Sequence, residues 1–318
     1  MEQSNSGDFE AAKVPGQRRL ESIRRERTAS QCVCCGSEDL VHSPAVLMPF
    51  VADRIFGWKP VVIDESWGLR SIRPGHAYSI CKSLRCGQCG HLFCDLRFSD
   101  AEMAALYNKY REEAYTALRE SYEPGYAVRN SALKKPIQFT AQTEAFLEPL
   151  VESPLTILDW GGDTGLNTPF KGKSAVHDVY DISDKDVELG ARRVSLEEAW
   201  ATKYRLIVCA QLLEHVSYPS DILLSVRQSM DASSVLYIEL PYEDLMRRKL
   251  EAPELEKRHW HEHINFYSER SLRTLIENCG LRIIAENVLS TNVAGSDVHI
   301  FQIACQLGDS EDPSFSAD

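Results

Sequence analysis

A chain of 318 residues fits about two domains at roughly 150 residues each. Its 43% apolar and 26% charged composition excludes a disordered or fibrous protein. The net charge of −12 falls wholly in residues 151–318, while the first 150 are balanced, and a field of that sign repels phosphate backbones, which argues against nucleic acid as a partner. No stretch approaches the roughly 18 apolar residues of a membrane span. Residues 1–30 are polar and arginine-rich, without the apolar core of a secretory signal, so a cytoplasmic protein is expected.

Residues 1–28 read as a disordered tail. Seven of the 10 cysteines then lie between Cys32 and Cys94. In a chain without a secretory signal, such a cluster points to metal before disulfides. Cys32-x-x-Cys35-Gly36 and Cys86-x-x-Cys89-Gly90 are two knuckles. Two-residue spacing brings both thiolates of a pair to one ion, and the glycine permits the tight turn that aims backbone amides at the sulfurs. Four thiolates in a tetrahedron suit zinc. Sulfur fills every position, so the ion is a structural staple of a module over residues 29–98. Cys34, Cys81 and Cys94 are surplus and are expected as small core residues.

Ser99-x-x-Glu102 is a capping box. It opens a helix that runs through Met103, Leu106 and Tyr107 and past Tyr115 and Leu118, until Pro124-Gly125 breaks it. A second amphipathic helix is predicted over 136–150, with Phe139, Thr143, Phe146 and Leu150 on one stripe. Residues 99–150 thus read as a helical linker or lid. Its Arg111 and Arg119 are candidates for bidentate pairing with a diphosphate.

From Leu155 the pattern changes. Apolar runs over 156–160, 175–182, 204–210 and 235–240 alternate with helical patterns, among them 219–230. A helix over 268–279 ends at Gly280, and strands over 281–288 and 298–306 follow. This alternation predicts a mainly parallel α/β sheet with helices on both faces over residues 151–308, and a disordered tail over 309–318. In such sheets ligands bind beyond the carboxyl ends of the strands. There lies Asp159-Trp160-Gly161-Gly162-Asp163-Thr164-Gly165, which fails the G-x-G-x-x-G dinucleotide pattern. Its acids would sit where a pyrophosphate must, so they suit a cationic ligand. Asp181, 22 residues after Asp159, is placed to bind ribose hydroxyls, with Asp178 as the rival.

Leu158 to Gly165 resembles the first motif of class I S-adenosylmethionine-dependent methyltransferases, with Asp163 in place of the middle glycine. Tyr204 to Pro219, containing Leu213-Glu214-His215, is similar to the family's fourth strand and the loop after it, with Arg205 where an Asp is usual. The resemblance implies a Rossmann-like methyltransferase sheet. It also implies that Asp159, Gly161, Gly162, Gly165, Asp181, Gln211 and Leu212 hold S-adenosylmethionine.

Trp260-His261-Glu262-His263 resembles the [YW]-H-E-H segment of zinc-containing sugar C-methyltransferases. The resemblance implies that Trp260, Glu262 and His263 face a sugar. The chain is shorter than those enzymes, which carry a further C-terminal domain. His259, His261 and His263 alternate, but strand neighbours on one face stand about 6.5–7 Å apart, too far for three ligands on one ion without a bend. Histidines that merely order the loop are the plain alternative.

The expected activity is methyl transfer to a small-molecule acceptor, an activated nucleotide-linked sugar. His263 is the expected base, Glu262 orients it or binds the substrate, and His261 is the second choice. The competing expectations are an O-methyltransferase of another metabolite, and a non-catalytic scaffold on a degenerate methyltransferase fold.

Overall fold

The computed structural model describes residues 20, 22–68, 73–133, 135–183, 185–293 and 295–308. The tail at 309–318 and residues 1–19 of the N-terminal tail lie outside them. The described end of the N-terminal tail is packed, with Leu20 1% and Ile23 4% exposed.

The larger sheet is built from β6 (Thr156–Trp160), β7 (Val176–Tyr180), β8 (Arg192–Arg193), β9 (Leu206–Ala210), β10 (Val235–Pro241), β13 (Leu281–Val293) and β14 (Ser296–Leu307). Its order is β13-β14-β10-β9-β6-β7-β8. The strands from β10 to β8 are parallel. β14 runs antiparallel to β10 and forms a long hairpin with β13. The central strands β9 and β10 are near-continuous apolar runs because both of their faces are covered. Along β9, Leu206 and Val208 pack with Leu147 and Tyr237 on one face, and Ile207 and Cys209 join the main core on the other. The chain leaves β6 toward β7 on one side and later returns to β9 on the other. The crevice beyond the ends of β6 and β9 is therefore the switch point at which open sheets bind ligands.

Two helical expectations change. The capping box at Ser99 is present, but its helix stops at Tyr107. Lys109 and Arg111 adopt positive φ of 52° and 62°, and a separate helix runs Glu113–Tyr122. The helix predicted from 136 is Thr140–Leu147, followed by a short 3-10 turn. In addition, residues 161–175 between β6 and β7 form turns and no helix.

The smaller sheet is the main departure from the expected layout. It contains β1 (Leu40–Leu47), β4 (Ile80–Cys86), β5 (Leu92–Cys94), β11 (His259–Trp260) and β12 (Asn265–Phe266), in the order β11-β1-β4-β5-β12. A separate hairpin pairs β2 (Val61–Ile63) with β3 (Gly75–Ala77). Both edges of the five-stranded sheet are thus supplied by residues 259–266. Val46 and Leu47 pair with His259 and Trp260, and Leu92 and Phe93 pair with Phe266 and Asn265. One core cluster runs through both sheets, from Leu47, Phe50 and Phe93 to Leu158, Ile207 and Ile238.

Candidate active site and cysteine centre

Both knuckles make the tight turn expected at their glycines, and the Cys89 amide reaches Cys86 Sγ at 3.4 Å. Gly36 and Gly90 sit at φ 73° and 76°. Their amides donate to the carbonyls of Cys32 and Cys86 at 2.8 and 2.9 Å. The Sγ atoms of Cys32, Cys35, Cys86 and Cys89 all lie within 4.8 Å of one another, in residues at most 1% exposed. Cys32 and Cys89 approach to 3.5 Å, and Cys35 and Cys86 to 3.6 Å. Four buried thiols without oxygen ligands form a donor set that fits zinc. Cys34, Cys81 and Cys94 are buried in the surrounding core.

At the switch point, Gly161 turns at φ 78° beneath Leu212, whose Cδ2 would stand 3.0 Å from a Cβ there. A Cβ on Gly162 would lie 2.3 Å from the Asp159 carboxylate, so a larger residue here would force the Asp159 side chain to move. Asp159 is 5% exposed and accepts from the Thr168 hydroxyl. Burial pushes its pKa up to about 7 against that hydrogen bond, with Asp181 and Glu239 adding like charge. Asp163 takes φ 53°, as the glycine it replaces would. Its carboxylate pairs with Lys185 at 2.9 Å and accepts from Ser183 Oγ at 3.3 Å.

Asp181 accepts from the amides of Asp163 at 2.9 Å and Ser183 at 2.7 Å, so it is tied to the glycine loop. The rival Asp178 is 1% exposed and fully engaged. Arg192 donates to both of its oxygens at 3.0 and 2.8 Å, and Tyr204 donates at 2.7 Å. Gln211, at φ 53°, donates from Nε2 to Glu239 at 3.2 Å. Residues 161–175 form turns, so among the described residues no helix opens directly after the glycine loop to receive a phosphate there. The acids and this missing dipole together suit a ligand with positive charge.

The segment 259–266 divides its side chains between two environments. Trp260 is fully buried in the smaller sheet, with Nε1 donating to Ser83 Oγ at 2.8 Å. This corrects the expectation that it faces a ligand: pairing with β1 turns it into the core. Arg119 is 4% exposed and holds Glu262 through two bonds of 3.1 and 2.9 Å. It also reaches Glu123 at 3.1 Å and His261 Nε2 at 3.1 Å. Arg119 is therefore committed to carboxylates, which corrects its expected pairing with a diphosphate. Arg111 lies over the Tyr110 ring at 4.7 Å. Burial opposes the charge on Glu262, but His261 and Arg119 prevail and lower its pKa. His261 lies 2.6 Å from Glu123 Oε1.

His263 belongs to the other environment. Its Nδ1 donates to Glu243 Oε1 at 3.0 Å, since a carboxylate only accepts. Its ring meets that of His215 edge-on at 4.6 Å. One ligating atom from each of Glu214, His215 and His263 falls within 4.8 Å of the other two. Burial works against charging His263, but the Glu243 hydrogen bond and the carboxylates of Glu214 and Glu262 outweigh it and raise its pKa. Its side chain remains 34% exposed. Glu262 is bound to Arg119, so Glu243 and not Glu262 orients this imidazole. Sequence reasoning missed Glu243, and the available signal was an acid just past the end of a parallel strand.

Residues 129–286 match the family model of a methyltransferase domain. Among solved structures, a SAM-dependent methyltransferase from Anabaena variabilis ATCC 29413 is 12% identical, covers 56% of this chain and 90% of its own, and has a TM-score of 0.40. The magnesium protoporphyrin IX methyltransferase of Synechocystis PCC 6803, with bound SAH, is 16% identical, with 64% and 99% covered and a TM-score of 0.42. No curated protein matches the chain. No helix among the described residues is long and apolar enough to cross a membrane.

Proposed function

We propose that this chain, whose residues 129–286 match a methyltransferase-domain model, is an S-adenosylmethionine-dependent enzyme, that its acceptor is a small molecule, an activated nucleotide-linked sugar in the cytoplasm, and that His263 removes the acceptor's proton. The observation that carries this reading is the gathering of Glu243, His263, Glu214 and His215 beyond the ends of β9 and β10. That cluster is joined to the glycine loop through Leu212 on Gly161.

S-adenosylmethionine supplies an electrophilic methyl group on a cationic sulfonium. Gly161, Gly162 and Gly165 give it close access to the backbone, and Asp159 with its neighbouring acids favours its charge. Asp181 binds the ribose, while Gln211 and Leu212 close the crevice from the β9 side. His263 is partly open to solvent, so an acceptor reaches it, and Glu243 fixes its tautomer. Glu262 and His261 shape the neighbouring wall, with His261 as the second choice of base. A structural zinc on Cys32, Cys35, Cys86 and Cys89 would brace the sheet whose edge strands flank His261, Glu262 and His263.

Zinc-loaded protein incubated with S-adenosylmethionine and a panel of nucleotide-linked sugars should release S-adenosylhomocysteine with one of them. Absence of cofactor binding by calorimetry would end the enzyme reading. Cofactor binding with turnover only of a non-sugar metabolite would remove the sugar alone.

A further inference from the structure

Among the described residues, the carboxylate of Glu214 is a buried group without a hydrogen-bond partner on either oxygen. It is 2% exposed. A buried carboxylate in that state is costly unless a nearby charge or proton compensates it. His215 Nε2 is 3.7 Å from Oε1, beyond hydrogen-bond range. His215 Nδ1 lies 3.1 Å from the carbonyl of Glu262 and 2.8 Å from the Tyr107 hydroxyl. The carbonyl accepts, so Nδ1 carries the proton and Nε2 presents a lone pair. Burial keeps this ring neutral. His215 therefore offers Glu214 no positive charge.

The other groups around the pair are engaged or neutral. Glu239, on β10, bonds to Tyr237 and Gln211. Glu262 is held by Arg119. Tyr107, Tyr267 and Cys209 have their protons held more tightly by burial. Among the described residues, Glu243 and Glu214 are the carboxylates near His263 not paired with an arginine or lysine; burial pushes the Glu214 pKa up to about 7, and positive charge on His263 works against that rise. Glu243 already holds one ring nitrogen.

We propose that Glu214 is a positioning residue that acts through His263, as the buried counter-charge for the imidazolium formed when His263 removes the acceptor's proton. This rests on the base reading given above. The acceptor atom loses its proton to the free imidazole nitrogen and keeps the electron pair, which forms the bond to the methyl carbon. The sulfur keeps the pair of the C–S bond that breaks. Positive charge thus disappears at the sulfonium and reappears on His263. Glu214 and Glu243 flank the place where it arrives, and burial keeps the Glu214 interaction from being screened by water.

The test is Glu214→Gln, which keeps shape and removes charge, with Glu214→Asp as the conservative control. Proton titration of the His263 ring is followed by nuclear magnetic resonance in the full chain, without acceptor. The Gln variant should titrate at lower pH than the unmutated protein by about half a unit or more, and the Asp variant should restore most of the difference. In turnover, the Gln variant should lose about 10–100-fold, with its pH limb displaced in the same direction and cofactor affinity within about twofold. An unmoved His263 titration in a folded Gln variant overturns the proposal. So does loss of a second equivalent of bound zinc in that variant, which would make Glu214, His215 and His263 a metal site. If the titration moves while His263→Ala leaves turnover intact, the base reading fails by itself and the charge coupling stands.

Discussion

Removing Arg119 should be among the most damaging single changes to stability. Its guanidinium is 5% exposed and faces Glu262, which is 11% exposed. It makes two bonds to that carboxylate and a further bond to Glu123. Arg119→Met keeps the aliphatic stem but removes the guanidinium, which lies over the rings of Phe50 and Tyr126 at 5.1 and 4.2 Å, and it leaves Glu262 buried without its cation. Breaking a buried pair from one side costs about 3–5 kcal/mol. At roughly 2.1 cal/mol/K of unfolding entropy per residue, that is roughly 4–8 °C in Tm for a chain of 318 residues. The double variant Arg119→Met with Glu262→Gln should recover at least half of the loss, because the stranded charge is gone. The effect should also depend on pH. The folded pKa of Glu262 is lowered from 4.5. Its contribution is therefore present above the ordinary carboxylate range and lost as pH falls through the depressed value, so the gap between unmutated protein and variant should narrow in acid. Urea denaturation at pH 7 and in steps downward from the ordinary carboxylate value of 4.5 measures both. A loss under about 1 kcal/mol at pH 7, or a double variant no better than the single, would refute the reasoning.

Asp181→Ala should weaken S-adenosylmethionine binding about tenfold or more by calorimetry, because charge-assisted hydrogen bonds are worth about 1.5–3 kcal/mol each; unchanged affinity would move the ribose contact elsewhere. Cys86→Ser should release zinc, read by metal analysis, and lower the stability of the smaller sheet; a protein purified without chelator and free of zinc would overturn the zinc reading. His263→Ala should lower turnover by about 10²–10⁴-fold, as loss of a general base does, while cofactor affinity stays within about twofold. The raised pKa of His263 means that the neutral, proton-accepting form is gained only above the ordinary value of 6.5, so turnover should rise with pH through a limb above that value; a limb well below it would point to another base.

Much of the fold was legible in local pattern. Five-residue apolar strands alternating with helices specify a parallel sheet, and two Cys-x-x-Cys-Gly knuckles specify four sulfurs at one point, because each signal lies within a few neighbouring residues. The placement of the glycine loop and Asp181 just beyond the ends of β6 and β7 was legible for the same reason: strand ends and the residues after them have fixed places in such a sheet. The roles within the His-Glu-His segment were not. β11 and β12 are two residues each, too short to show a periodicity, and they exist only because β1 and β5 present unpaired edges to them. That pairing buries Trp260 and sends Glu262 and His263 to different partners. Glu243, Glu214 and Arg119 acquire their importance in the same way, from neighbours far away in sequence. The sequence alone determined which chemical groups this protein carries and which strands bring them to one end of a sheet. Tertiary structure decided which carboxylate meets which cation, because charge pairing in a buried site depends on distances of a few ångströms that no local spacing encodes.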